Sequence, residues 1–247
     1  RLLDPRPFSD RIGVDSHTLS PAFIADSDFN RAFLGSAHLA AYRDLNGLVQ
    51  RCAELLHRPG SKYLYAYWPE LDSLGHRFGI WSEQARTHLL ELDQAFEQLL
   101  GSIRGDDTLV IVCADHGQID PAQDHRIDLC NHPVLGDCLV LPLCGETRAA
   151  YCYLRPGHEH VFDDYVSKEL AGVADCFPGS VLIESAWFGH GQPHPQLANR
   201  IVDRVLVMKE DYVLKEWLPQ EKRYEMVGTH GGLSQDELWV PLIVAES

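Results

Sequence analysis

The stretch Thr108-Leu109-Val110-Ile111-Val112-Cys113-Ala114-Asp115-His116-Gly117 carries an unbroken apolar run, from Leu109 to Ala114, up to an aspartate and a histidine. Its aliphatic core, Leu109 to Val112, predicts a strand buried on both faces, as in the parallel sheet of an α/β protein. Sheets of that kind bind ligands at the carboxyl ends of their strands. Asp115 and His116 therefore stand where chemistry is expected, although an Asp-His pair after a strand also serves simply to cap a following helix.

Upstream of this run, residues 82 to 100 form the clearest helix. Leu89, Leu92, Phe96, Leu99 and Leu100 make its apolar stripe, while Glu91, Asp93, Gln94, Glu97 and Gln98 face water. It reads as the crossover from an aromatic-rich strand, Lys62 to Trp68, to the strand at Thr108. Beyond the turn at Pro69 come Asp72 and His76, four residues apart and so on one face of a helical turn. Gly75 beside them permits close approach of backbone or ligand. A carboxylate and an imidazole converging after a strand make half of a zinc shell; a helix cap beside a packed histidine is the plainer reading. Further upstream, Ser27 opens a helix over 28–34 that stops near Gly35, and a second helix is expected over 39–57, ended by Pro59-Gly60. Residues 1–21 show no strong strand.

Downstream, 118–133 is a polar loop holding Asp120, Asp124, His125, Asp128 and His132, which suit either a ligand set or a solvated surface. Strands are expected at 139–141, 149–154 and 201–208, a helix at 160–170, and a strand or short extended run at 180–184. His158, His160, His190 and His194 are expected to face solvent. Gly228-Thr229-His230-Gly231-Gly232 sets a histidine among three glycines ahead of a terminal hydrophobic strand at 237–244. A simple loop is one reading; the other is a third ligand locus, since Asp72, His76 and His230 together offer a carboxylate and two imidazoles.

Composition bounds the partners. Against 36 acidic side chains stand 21 basic ones, a formal net charge of -15. That balance argues against a nucleic-acid polymer or an anionic membrane surface, though not against one phosphorylated small molecule at a locally positive site. No apolar segment is long enough to span a membrane, and Arg1-Leu2-Leu3-Asp4-Pro5 does not read as a signal peptide. The 7 cysteines, without a CxxC pair, suggest reduced thiols and a cytoplasmic protein. Neither a GxxxxGK loop nor a GxGxxG fingerprint is present.

In this order, Tyr67-Trp68-Pro69-Glu70-Leu71-Asp72 with Gly75-His76, then Ala114-Asp115-His116-Gly117, then Thr229-His230-Gly231-Gly232 resembles the type I phosphodiesterase and nucleotide pyrophosphatase family of the alkaline phosphatase superfamily. The resemblance implies an alkaline-phosphatase-like α/β fold, with a mostly parallel central sheet flanked by helices, and two zinc ions. Asp72, His76 and His230 match the ligands of one zinc; Asp115 and His116 match two ligands of the other. It also implies a serine or threonine nucleophile, and the strand and nucleophile segment that would carry it are expected upstream of Arg1. Residues 1–247 then correspond to the larger, C-terminal part of one catalytic domain, with the N-terminal segment as its same-chain or nicked partner. The isolated chain is accordingly expected to expose apolar sheet and to need that partner for stability. The expected activity is hydrolysis of phosphodiesters or nucleotide pyrophosphates. A phosphonate hydrolase, another phosphatase of the superfamily, or an inactive metal-binding α/β fragment are the alternatives.

Overall fold

Residues 6–201 and 203–247 are described by the computed structural model. Arg1 to Pro5, where no signal peptide is expected, and Val202, within the strand expected at 201–208, lie outside the described residues. In chain order the elements are α1 (Ser9–Ile12), β1 (Asp15–Pro21), α2 (Asp28–Leu34), β2 (His38–Tyr42), α3 (Leu45–Leu56), β3 (Lys62–Ala66), α4 (Glu70–Phe78), α5 (Glu83–Ser102) and β4 (Leu109–Cys113). There follow β5 (Arg126–Asp128), α6 (Pro133–Cys138), β6 (Cys144–Glu146), β7 (Ala149–Cys152), α7 (Glu159–Glu169), β8 (Ala174–Pro178) and α8 (Gly179–Glu184). The chain closes with α9 (Ala198–Ile201), β9 (Arg204–Met208), β10 (Val213–Lys215), α10 (Gln235–Leu238) and β11 (Leu242–Glu246). The fold is of the mixed α/β class, with parallel sheet and flanking helices.

Two units divide these elements. The first takes in the chain up to Ser73, Glu83–Cys113 and Leu242–Ser247. Its centre is a parallel sheet in the order β2-β1-β3, with Thr18 paired to Leu39 on one side and Tyr65 on the other. That corrects the expectation that residues 1–21 hold no strong strand. β1 reads DSHTLSP, and its central place buries Ser16, His17 and Ser20 along with Leu19. A strand whose inward positions include hydroxyls and an imidazole gives no apolar pattern to read. β2 is likewise a correction, because the second helix is expected to begin at residue 39. That helix, α3, starts only after Asp44, whose carboxylate accepts the Gly47 N–H at 2.7 Å and caps it. Leu48, Cys52 and Leu55 of α3 then pack on Leu19 and Tyr42.

β4 differs most from expectation. It pairs antiparallel with β11, and Leu109 and Ile111 are 58% and 56% exposed, so it is neither parallel nor buried on both faces in this structure. Its terminal partner is shorter than expected, because Gln235–Leu238 coils into α10 before β11 begins.

The second unit comprises Leu74–Ser82 and Ala114–Pro241. An antiparallel sheet, β6-β7-β9-β8, carries a core in which Leu135, Cys138, Phe162, Val166 and Leu206 are buried. β5, inside the polar loop expected at 118–133, forms a short parallel pair with β10. Residues 139–141 are not a strand; Leu139 makes one isolated bridge to Leu154. Residues 180–184 lie in α8 rather than an extended run, and the strand is β8 just before it. Among the described residues, no helix is long and apolar enough to cross a membrane.

Candidate metal centre

Helix α4 presents Asp72 and, one turn later, His76. Near its C-terminal end, where helix geometry leaves carbonyls short of partners, the segment ahead of His230 supplies donors. Val227 N–H donates to the His76 carbonyl at 2.8 Å and Gly228 N–H to the Gly75 carbonyl at 3.1 Å. The approach requires glycine, since a Cβ on Gly228 would stand 2.7 Å from the Gly75 oxygen. His76 Nδ1 in turn donates to the Gly228 carbonyl at 2.9 Å. That bond places the proton on Nδ1 and the lone pair on Nε2, the tautomer found in ligand imidazoles backed by a carbonyl.

His116 leaves the turn after β4. Its Nδ1 donates to the Gly117 carbonyl at 3.0 Å, which places its lone pair on Nε2 as well. Gly117 N–H donates to the Glu237 carbonyl at 2.7 Å, and a Cβ at Gly117 would come within 1.9 Å of the Asp236 oxygen. His230 follows Thr229, which is buried and exchanges both backbone hydrogen bonds with Ile119 at 2.8 and 2.9 Å.

Within the second unit these segments bring three imidazoles together. The rings of His116 and His230 stack with centroids 3.7 Å apart, and those of His76 and His230 lie 5.1 Å apart. His116 and His230 present ring nitrogens within 4.8 Å of each other. Asp115 lies beside His116, with 3.7 Å between Oδ1 and Nε2, but its side chain is 74% exposed. Asp72 occupies the portion of α4 assigned to the first unit, on the helical face it shares with His76. Clustered imidazoles, two of them backed by carbonyls, fit a divalent metal ion.

The polar loop is mostly structural. Asp120 accepts the Ile80 N–H at 2.9 and 3.0 Å, Asp128 accepts the Cys130 N–H, and His132 bonds the Tyr165 hydroxyl at 3.0 Å. His125 enters a second cluster with Glu210 and Asp211 that the sequence did not suggest. Asp211 takes a short hydrogen bond from His125 Nδ1 and raises the imidazole's pKa, which suits an ion pair better than a ligand.

A buried ion pair was also missed. Arg148 is fully buried and donates from Nη2 to Glu237 Oε2 at 2.8 Å. Burial works to raise the Glu237 carboxyl, but bonds from Arg148, Ser234 and Gly232 outweigh it and hold the carboxyl below its ordinary value. One signal was legible: Ser234 and Glu237 have the spacing of a capping box, which they form.

A family model described as type I phosphodiesterase / nucleotide pyrophosphatase matches residues 7–233. No curated protein matches the chain. Among solved structures, the chain is similar to murine ectonucleotide pyrophosphatase / phosphodiesterase 5 in an inactive form in complex with AMP, at 17% identity and a TM-score of 0.66, covering 95% of this chain and 61% of that one. A second structure of the murine protein gives 18%, 0.67, 95% and 61% for the same measures. The human counterpart gives 16%, 0.67, 96% and 61%. At such identities the likeness shows the fold alone, and the chain spans less than two thirds of the length of these structures.

Proposed function

The chain belongs to the type I phosphodiesterase / nucleotide pyrophosphatase family, and from that premise we propose that it is the metal-holding part of a hydrolase acting on phosphodiester or pyrophosphate bonds of phosphorylated small molecules. The observation that carries the reading is the convergence of His76, His116 and His230 from three segments far apart in sequence. Asp72, His76 and His230 are proposed to hold one zinc ion, and Asp115 and His116 to contribute to a second. Asp72 joins the set through its one-turn spacing from His76 on α4. When bound, such ions polarise phosphoryl oxygens and lower the pKa of an attacking hydroxyl or water.

The chain's own groups orient and tune. The carbonyls of Gly228 and Gly117 fix the tautomers of His76 and His116, so that in the neutral ring Nε2 is the nitrogen turned to a ligand's role. No residue of this sequence is assigned as nucleophile; the serine or threonine is proposed to come from upstream of Arg1. The net charge of -15 argues against a nucleic-acid polymer, though not against one small anionic substrate at a locally positive metal centre. All seven cysteines are free, which is in keeping with the proposed cytoplasmic location.

The test pairs binding with turnover. Zinc titrated calorimetrically into this chain should show binding that H76A and H230A weaken, and hydrolysis of a chromogenic phosphodiester by the chain joined to its upstream segment should be abolished by a chelator. Zinc binding without hydrolysis would favour a metal-holding scaffold, and no zinc binding at all would sink the reading. Faster turnover of a phosphonate monoester than of the diester would move the activity to a phosphonate hydrolase.

A further inference from the structure

Two of the histidine-bearing turns end on the same residue. Glu237 accepts the Gly232 N–H through Oε1 at 2.7 Å, two residues beyond His230, and its backbone carbonyl accepts the Gly117 N–H at 2.7 Å, one residue beyond His116. Its second oxygen, Oε2, accepts the Ser234 hydroxyl at 2.7 Å. Arg148 then fixes the carboxylate from the far side. Its Nε lies 3.1 and 3.2 Å from the two carboxylate oxygens and its Nη2 2.8 Å from Oε2.

The guanidinium itself has little freedom. Nη1 donates to the carbonyls of Lys209 and Tyr212, and Nη2 to that of Glu210 at 2.7 Å. Arg148 and Glu237 are 0% and 2% exposed, so neither charge is left to water. Beside them, Thr147 Oγ1 lies 3.2 Å from Thr229 Oγ1, anchoring the residue before His230. Gly232 is pressed against the pair, because a Cβ there would stand 2.7 Å from Glu237 Oε2 and 2.8 Å from Arg148 Nε.

We propose that Glu237, locked by Arg148, is the positioning residue that sets the spacing of His116 and His230 for metal binding. The proposal rests on the metal reading given above. A purely structural ion pair has no reason to terminate on both histidine turns, one through its side chain and the other through its backbone. Outer partners of this sort commonly govern metal affinity by about 10–100-fold through the aim of the ligands rather than through contact with the ion.

The experiment compares wild type, E237Q and the double variant R148M/E237Q, which removes both charges together and so avoids stranding one of them in the interior. Folding is checked by circular dichroism, zinc affinity by competition titration, and ligand geometry by the visible absorption of bound cobalt. The expected result is a folded protein with zinc affinity down about 10–100-fold and a changed cobalt spectrum. Folded variants with wild-type affinity and spectrum would overturn the proposal. If both variants fail to fold, S234A removes one bond to Oε2 and leaves the ion pair; a smaller loss of affinity with a shifted His230 ring resonance supports the proposal, and no change overturns it. Should wild type itself bind neither ion, the metal reading fails, while ring-current shifts of His116 and His230 in metal-free E237Q still test the clamp: an unchanged pair of shifts overturns it.

Discussion

His125 and Asp211 show how one contact sets a titration. Burial works to raise Asp211, but the bonds from Ala122 N–H and from His125 outweigh it and the carboxyl lies below its ordinary value. The carboxylate in turn pushes the imidazole above its ordinary value, and the ring stacks on Tyr212 at 3.9 Å. A histidine raised in the folded state contributes stability that is complete below its unfolded pKa and is lost as pH rises through the folded one. A lowered aspartate contributes above its unfolded pKa and loses that contribution as pH falls through the folded value. The pair therefore holds in the window between the two, and proton NMR of the His125 ring should titrate above an ordinary imidazole, with D211N returning it downward; an unchanged titration in D211N would refute the assignment. Gly117 makes the complementary steric case. Its missing Cβ leaves room for the backbone oxygen of Asp236, which a side chain cannot push aside, so G117A should lower stability by about 1–3 kcal/mol in denaturant unfolding. A variant as stable as wild type would show that the α10 turn relaxes freely.

Among the elements, β4 and β11 carry the largest departure from the pattern of their residues. Ile111 and Val244 face each other across the antiparallel pair, at 56% and 55% exposed, and Leu109 and Leu242 extend the same apolar row. Exposed apolar strand surface of this kind promotes association. The paired substitution I111T/V244T should lower self-association in light scattering while the circular dichroism spectrum stays that of wild type, and scattering that does not fall would remove the strands from blame. Helices behaved differently. α2 begins behind Ser27, whose side chain accepts the Asn30 N–H at 3.3 Å, and α5 keeps nearly the bounds its stripe predicts. β1 could not be read in the same way, because its burial falls on Ser16, His17 and Ser20.

For the molecule as a whole, the proposed metal links stability to pH and to ligand. An ion that binds only the folded state should raise the melting temperature, by about 2.7 kcal/mol of added stability at 100 times its dissociation constant. Imidazoles coordinate only when neutral, so the zinc-induced shift should shrink as the medium is acidified. Differential scanning fluorimetry with zinc and chelator across pH measures both, and a shift independent of pH would place the ion on carboxylates alone. The sequence by itself determined what depends on neighbours along the chain: the α/β class, helices α2 and α5, the one-turn spacing of Asp72 and His76, and the glycines that flank His230. It also marked His116 and His230 as candidates, because unusual residues at strand ends and in glycine-rich turns are visible without coordinates. Tertiary structure alone decided which strands pair, that β1 sits at the centre of its sheet, that His116 stacks on His230, and that Arg148 reaches Glu237. The physical reason is range. A helix closes its hydrogen bonds within four residues, whereas sheet partners and buried ion pairs are separated by tens of residues, and their geometry comes from packing that no local pattern encodes.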